Sequence, residues 1–313
     1  MTRALVFPGQ GSQAVGMGKE LADAFPVARE VFQEVDDALS QKLSALMFEG
    51  PENELTLTEN AQPALMAVSL AVTRVLEKEG GFTLTDKCDL VAGHSLGEYS
   101  ALAAAGTFAI SDAARLLKIR GQAMQAAVPV GVGAMAALLG LDYADAVAVA
   151  EEAAQGDVCT AANDNASGQV VVSGHKGAVE RAIEIAKEKG AKRAVLLPVS
   201  APFHCALMQP AADRMAEALG TVAMNAPGKP VVANVTAEKT DDPETIRKLL
   251  VEQVCGTVRW RESVLYMKEQ GITELVEIGA GKVLTGMVRR IDRDLSGVAV
   301  NGPADIEAFL GSL

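Results

Sequence analysis

Cys88-Asp-Leu-Val-Ala-Gly-His-Ser-Leu-Gly-Glu-Tyr-Ser100 reads as a short buried strand, a tight turn and the beginning of a helix. The strand is Asp89–Ala92, the turn is Gly93-His-Ser-Leu-Gly97, and the helix runs from Glu98 to Ala105, rich in alanine that packs close to a sheet. Gly-x-Ser-x-Gly between a strand and a helix is the pattern of a nucleophile elbow. Its composition follows from its shape. The turn forces Ser95 into a strained backbone conformation, and Gly93 and Gly97 remove the side chains that would collide with it. The Ser95 hydroxyl then stands clear of the sheet. The Leu96 N–H and the positive end of the following helix face any negative charge that develops beside it. The bland alternative is a glycine-rich turn with a capping serine.

Working outward, Arg3–Phe7 is an apolar strand that runs into Pro8-Gly-Gln-Gly-Ser-Gln13. Gly9 to Ala14 fits the dinucleotide fingerprint in form. That fingerprint needs a second strand about 20 residues on, ending in an acid, and Val27–Asp36 is helical in period instead. The better reading is a loop at the carboxyl end of a first strand, beside the elbow, where Gln10 could bind an oxyanion through backbone or side chain. Helices are expected at Gly16–Ala24 and Pro26–Leu39, then a polar connection over 40–58. A long helix, Glu59–Glu79, carries Gln62 near its start, and another, capped by Ser111 and running to Ala127, carries Arg120.

The pattern changes at Gly131. Strand Gly133–Leu139, helix Tyr143–Ala154, strands Val158–Ala162 and Gln169–Ser173 joined by Asn163-Asp-Asn-Ala-Ser-Gly168, helix Lys176–Lys189 and strand Ala194–Pro198 follow in order. That is βαββαβ, the ferredoxin-like unit, read as a small subdomain over 131–198 inserted between 1–130 and 199–313. After an irregular stretch, Val199–Met208, strands Pro230–Val235, Glu274–Ile278 and Gly297–Val300 alternate with helices Gln209–Leu219, Asp242–Val254, Arg261–Gln270 and one through Arg290. The fold class is therefore α/β. The large subdomain is a mostly parallel sheet with helices on both faces.

With 313 residues, 49% of them hydrophobic, the chain can bury a large core. No apolar run reaches the ~18 residues a membrane span needs, and the N-terminus enters a strand at once, without a signal-peptide pattern. Cys88, Cys159, Cys205 and Cys255 are scattered without C-x-x-C spacing. This suits a reducing cytoplasm and argues against a zinc site. A formal net charge of −12 argues against non-specific nucleic-acid binding.

A serine nucleophile needs a base, and there are three histidines. His94 lies inside the elbow with its side chain directed away from Ser95, and His175 begins a helix of the small subdomain. His204 lies in a loop just after a strand, so it is the base by elimination. No acid follows a strand end as the hydrolase pattern requires. Either a backbone carbonyl or an amide such as Gln253 orients His204, or the site is a dyad.

Five stretches together resemble the malonyl-CoA:acyl carrier protein transacylases of type II fatty acid synthesis, in order over essentially the whole chain. They are Phe7-Pro-Gly-Gln-Gly-Ser-Gln13, Gly93-His-Ser-Leu-Gly-Glu-Tyr-Ser-Ala-Leu102, Arg115-Leu-Leu-Lys-Ile-Arg-Gly121, Pro198-Val-Ser-Ala-Pro-Phe-His-Cys-Ala-Leu-Met208 and Gly279-Ala-Gly-Lys-Val-Leu-Thr-Gly286. The resemblance implies a hydrolase-like large subdomain with a ferredoxin-like insert, Ser95 as nucleophile and His204 as base. It implies an oxyanion hole from the amides of Gln10 and Leu96, and Arg120 as partner of the malonyl carboxylate. Gln253 would support the histidine, and Gln62, Asn163 and Asn165 would line the pocket. No cofactor or metal is implied; malonyl-CoA and the phosphopantetheinyl acyl carrier protein are substrates. Phe203, an aromatic before the histidine, resembles malonyl-selective domains of polyketide synthases and leaves the pathway open. Because carrier proteins are acidic, docking would need local cations, with Lys187, Lys189, Lys192 and Arg193, or Arg289, Arg290 and Arg293, as candidates. The rivals are a serine thioesterase or esterase, for which Arg120 has no use, and a non-catalytic module that kept the fold.

Overall fold

The computed structural model describes residues 2–313. Among the described residues ten strands form two sheets: β1 (Arg3–Phe7), β2 (Leu90–Gly93), β3 (Gly133–Leu139), β4 (Cys159–Ala166), β5 (Gln169–His175), β6 (Arg193–Leu196), β7 (Val231–Val232), β8 (Lys239–Thr240), β9 (Glu274–Ile278) and β10 (Ser296–Val300). The larger sheet has the order β10-β9-β1-β2-β7-β8 and is parallel except for the β7–β8 edge pair. The smaller has the order β4-β5-β3-β6 and is antiparallel throughout, with helices Tyr143–Ala154 and Lys176–Glu188 packed against it. That strand order is what βαββαβ gives when the chain closes as a ferredoxin-like sheet.

β1, β2 and β9 are central and buried on both faces, which is why Ala4–Phe7 and Leu90–Gly93 read as apolar runs; β9 differs in burying two glutamates, Glu274 and Glu277. The helix Thr58–Gly80 is buried along nearly its whole length to Leu76, because it crosses the middle of the large core. It lies hard against the helix Ile110–Ala126. A Cβ on Gly121 would sit 2.5 Å from the Glu59 Cα, so this close approach requires glycine there.

Several expectations change, and one element appears that the sequence analysis did not anticipate. Residues 40–58 are not simply a polar connection but hold two short helices, Leu43–Glu49 and Glu52–Leu55, whose Leu43, Leu46, Met47 and Leu55 are buried. Ser111 lies inside its helix, which begins at Ile110. Asn163 to Ala166 belong to β4 rather than to a loop, with register shifts at Ala161/Asn163 and Asp164/Ala166. A last helix, Pro303–Leu310, follows β10 and buries Ile306 and Phe309.

β4 ties the smaller sheet to the segment 257–261, which belongs to neither sheet. Val258 N–H donates to the Ala162 carbonyl at 2.9 Å, Asp164 N–H donates to the Val258 carbonyl at 3.0 Å, and Thr257 Oγ1 donates to the Ala161 carbonyl at 2.7 Å. The Asp164 carboxylate, its side chain 1% exposed, takes Arg261 Nε at 3.1 and 3.0 Å and Nη2 at 2.9 Å. The polar residues of β4 are thereby held above the carboxyl ends of β1 and β2, where open α/β sheets place their sites.

Candidate active site

The elbow is built as its composition demands. Ser95 has φ 53° and ψ −111°, a conformation an L-residue holds only under constraint. A Cβ on Gly93 would lie 1.9 Å from the Gly97 backbone, and one on Gly97 would lie 2.2 Å from the Phe7 carbonyl oxygen. The constraint is supplied by hydrogen bonds. His94 N–H donates to the Phe7 carbonyl at 3.0 Å and Ser95 N–H to Asn234 Oδ1 at 2.8 Å, while Asn234 Nδ2 donates to the Gly93 carbonyl at 2.7 Å. Asn234 clamps the turn from β7's loop, yet in sequence it is one polar letter in an apolar run and gave no signal.

Ser95 Oγ lies 2.8 Å from His204 Nε2. His204 is 4% exposed and also takes a positive φ, 58°. Its Nδ1 is 2.9 Å from the Gln253 carbonyl oxygen and 3.2 Å from that of Gly256. Those contacts place the proton on Nδ1 and leave Nε2 free to accept. Of the alternatives open in sequence, main-chain carbonyls orient the ring, one of them belonging to Gln253. Burial first, and the Arg120 charge second, lower the imidazole from its ordinary 6.5 to about 3, so it rests neutral. His94 turns the other way, its Nε2 2.8 Å from Asn165 Oδ1 and its ring beside Trp260.

Arg120 is 1% exposed. Its Nη1 donates to Gln62 Oε1 at 2.8 Å, and its Nη2 to Ser95 Oγ at 3.1 Å and to Gln253 Oε1 at 2.9 Å. Nε has no partner among the described residues. Its carbon lies 5.7 Å from the Tyr99 ring centre. Burial lowers the guanidinium's affinity for its proton, with the Tyr99 hydroxyl and the Glu98 carboxyl acting against that. An arginine stays cationic through such a shift. No carboxylate forms an ion pair with it among the described residues, so it is a buried cation bonded only to neutral groups. Gln62, which could have been a solvated first-turn residue, is 1% exposed and holds this cation.

These groups open on a cavity of about 650 Å³. Gln10, Gln62, Leu96, Asn163, Asn165 and Phe203 line it together with Ser95, Arg120 and His204, whereas Gln253 sits behind them. The backbone N–H groups of Gln10 and Leu96 donate to nothing among the described residues. Glu98 and Asn234, both 1% exposed, complete the polar layer beneath the elbow, and the site reading of the sequence passed over both. Among the described residues no cluster of His, Cys, Asp or Glu is arranged to hold a metal ion, and no helix is long and apolar enough to cross a membrane.

A neutral base on a strained serine, two open amides and an unpaired cation in one pocket are the parts that taking up and passing on an acid-bearing acyl group would need. A family model described as acyl transferase domain matches residues 4–303. The malonyl CoA-acyl carrier protein transacylase of Escherichia coli K12 is 49% identical over 307 residues, 98% of each chain. The crystal structure of an acyl-carrier-protein-S-malonyltransferase from Bartonella henselae superposes with a TM-score of 0.97 at 59% identity, covering 100% of this chain and 99% of that one. A malonyl-transacylase solved in complex with a type II PKS acyl-carrier protein superposes with a TM-score of 0.96 at 47% identity, covering 100% of both chains.

Proposed function

The chain belongs to the acyl transferase family, among the malonyl CoA-acyl carrier protein transacylases, and from that premise we propose that it moves a malonyl group from malonyl-CoA to the phosphopantetheine thiol of an acyl carrier protein. His204 Nε2 takes the Ser95 proton as Oγ attacks the thioester carbonyl. The Gln10 and Leu96 amides receive the oxyanion. As the tetrahedral intermediate collapses, His204 returns the proton to the departing coenzyme A sulfur, leaving malonyl-Ser95. The carrier thiol then attacks, with His204 again taking the proton, and free Ser95 is restored. The cycle is ping-pong and calls for no cofactor or metal.

Arg120 supplies selection. Its fork meets the malonyl carboxylate, and the incoming acid replaces the bond from Nη2 to Ser95 Oγ. Acetyl-CoA offers no such partner. The single observation that carries this reading is that unpaired guanidinium, 3.1 Å from a nucleophile that is itself 2.8 Å from its base. Gln62 steadies Arg120 from the other side, and Asn163 and Asn165 furnish the polar wall. The product is the extender unit of fatty acid synthesis, made in the cytoplasm; the neighbour bound to a type II PKS acyl-carrier protein makes polyketide synthesis the second pathway to test.

An acidic carrier must approach an enzyme of formal net charge −12, so it docks on local cations. Lys187 and Lys189 are engaged by Glu184 and Glu152 at 2.7 and 2.6 Å, which leaves Lys192, Arg193, Arg289, Arg290 and Arg293 the better candidates, Arg290 bonded only to the neutral Gln169 amide at 3.3 Å.

The test is a transfer assay with malonyl-CoA and a phosphopantetheinylated acyl carrier protein, following both malonyl-carrier and free malonate. Transfer that outruns hydrolysis supports the reading. Hydrolysis that outruns transfer at saturating carrier would make the chain a thioesterase.

A further inference from the structure

The catalytic cycle above makes no use of Glu98, the buried carboxylate of the elbow helix. Its Oε2 accepts from Gln253 Nε2 at 2.8 Å and from the Asn234 backbone N–H at 3.1 Å. Gln253 Nε2 also donates to the Ser95 carbonyl at 3.0 Å and lies 3.3 Å from Asn234 Oδ1. Three acceptors thus gather around one end of the Gln253 amide, and the other end, Oε1, faces Arg120 Nη2 at 2.9 Å. An amide has a donor end and an acceptor end of nearly equal size, and its surroundings decide which way it lies. Here the carboxylate is the strongest acceptor of the three. Burial pushes the Glu98 carboxyl up to about 7, and the bonds from Gln253 and Asn234, with the Arg120 charge, act to keep it ionised.

We propose that Glu98 is a positioning residue for acyl selectivity: its carboxylate fixes Gln253 with Oε1 toward Arg120, and so holds the guanidinium beside Ser95 to meet the malonyl carboxylate. The inference deepens the transacylase reading and rests on it. Glutamine at 98 matches glutamate in shape but brings an NH₂ group of its own into a buried layer. A neutral amide oxygen holds Gln253 Nε2 less firmly than the carboxylate does, and wherever the new NH₂ faces Gln253 it drives that amide to turn over. A turned Gln253 points NH₂ at the guanidinium, and Arg120 loses its hold beside the nucleophile.

The experiment compares kcat/KM for malonyl-CoA and acetyl-CoA in transfer to holo carrier protein, counting active sites by the acyl-enzyme burst. It uses the wild type, Glu98→Gln, Arg120→Ala and the double variant. Glu98→Gln is expected to lower the malonyl-over-acetyl ratio by about tenfold or more, the worth of one buried charge-assisted hydrogen bond. It is expected to add nothing to the ratio once Arg120 is alanine. A merely structural role would lower the melting temperature and the number of active sites but leave the ratio unchanged, and that result overturns the proposal. Equal falls in both backgrounds overturn it too. If Glu98→Gln does not fold, Gln253→Met breaks the same chain one link on; the ratio should fall there, and an unchanged ratio is again fatal. A wild type with no preference for malonyl would instead remove the transacylase reading itself.

Discussion

At neutral pH a serine yields its proton only to a base that is itself unprotonated, and His204 is kept so by burial and by the neighbouring guanidinium. Because the folded value lies below the ordinary 6.5, falling toward about 3, protons bind the unfolded chain more readily across that window. The stability this residue contributes is present above pH 6.5 and is lost as pH falls through it, at up to about 1.4 kcal/mol per pH unit. Glu98, raised from 4.5 to about 7, has the opposite sign: its contribution is full below pH 4.5 and is lost as pH rises through 7. Melting curves would mix the two, so the imidazole should be watched directly. With three histidines in the chain, the His204 ring resonance is identified by its loss in His204→Ala. It should not titrate between pH 8 and 5; a midpoint near 6.5 would show a solvated ring. Arg120→Ala should cost roughly a hundredfold or more in kcat/KM for malonyl-CoA, two charge-assisted bonds' worth, and gain acetyl transfer. Ser95 and His204 were legible because strong local chemistry marks them: a glycine-framed serine, and one histidine left over after two are placed. Glu98 and Asn234 were not. Asn234 lies 139 positions from the Ser95 amide it caps, and nothing local announces a bond of that span.

Elements decide where those side chains point. The elbow works because Gly97 lets the helix Leu96–Ala104 start against β1, with the Phe7 carbonyl 2.2 Å from where a Cβ would stand. Gly97→Ala must push the helix off the strand or unseat Ser95. It should lower the melting temperature and abolish acylation together; a variant that acylates at the wild-type rate would mean the turn tolerates the displacement. The same logic explains what the sequence hid between 40 and 58. Helices of four and seven residues are too short to show periodicity, and they form here because Leu43, Met47 and Leu55 find the core of the long buried helix, not from propensity. β7 is two residues long rather than six, because beyond Val232 the chain leaves the sheet to bring Asn234 under the elbow.

For the whole molecule, the cavity exists only while the small sheet stays fastened over the large one. The Arg261–Asp164 pair, the main-chain bonds between Val258 and β4, the Thr257 hydroxyl and the His94–Asn165 contact form that fastening. Arg261→Ala leaves a carboxylate buried without its cation. With Arg261 itself 26% exposed, the loss should be roughly 2–4 kcal/mol, less than for a fully buried pair. The KM for malonyl-CoA should rise as Asn163 and Asn165 loosen, and Arg261→Lys should restore part of both. Unchanged melting would show that the remaining bonds to β4 hold the junction without this ion pair. The layered architecture was readable from alternating strands and helices, but the junction was not, since a bulged strand carrying the consecutive polar run Asn163-Asp-Asn165 reads as a loop.

The account's centre is a malonyl group carried on Ser95. Intact-mass measurement after mixing the protein with malonyl-CoA alone, followed by peptide mapping, tests it most directly. The expected result is one malonyl group per chain, on Ser95, discharged by added phosphopantetheine thiol and absent from Ser95→Ala. A wild-type chain that stays unmodified while consuming malonyl-CoA, or a Ser95→Ala chain that still takes up the group, would contradict it.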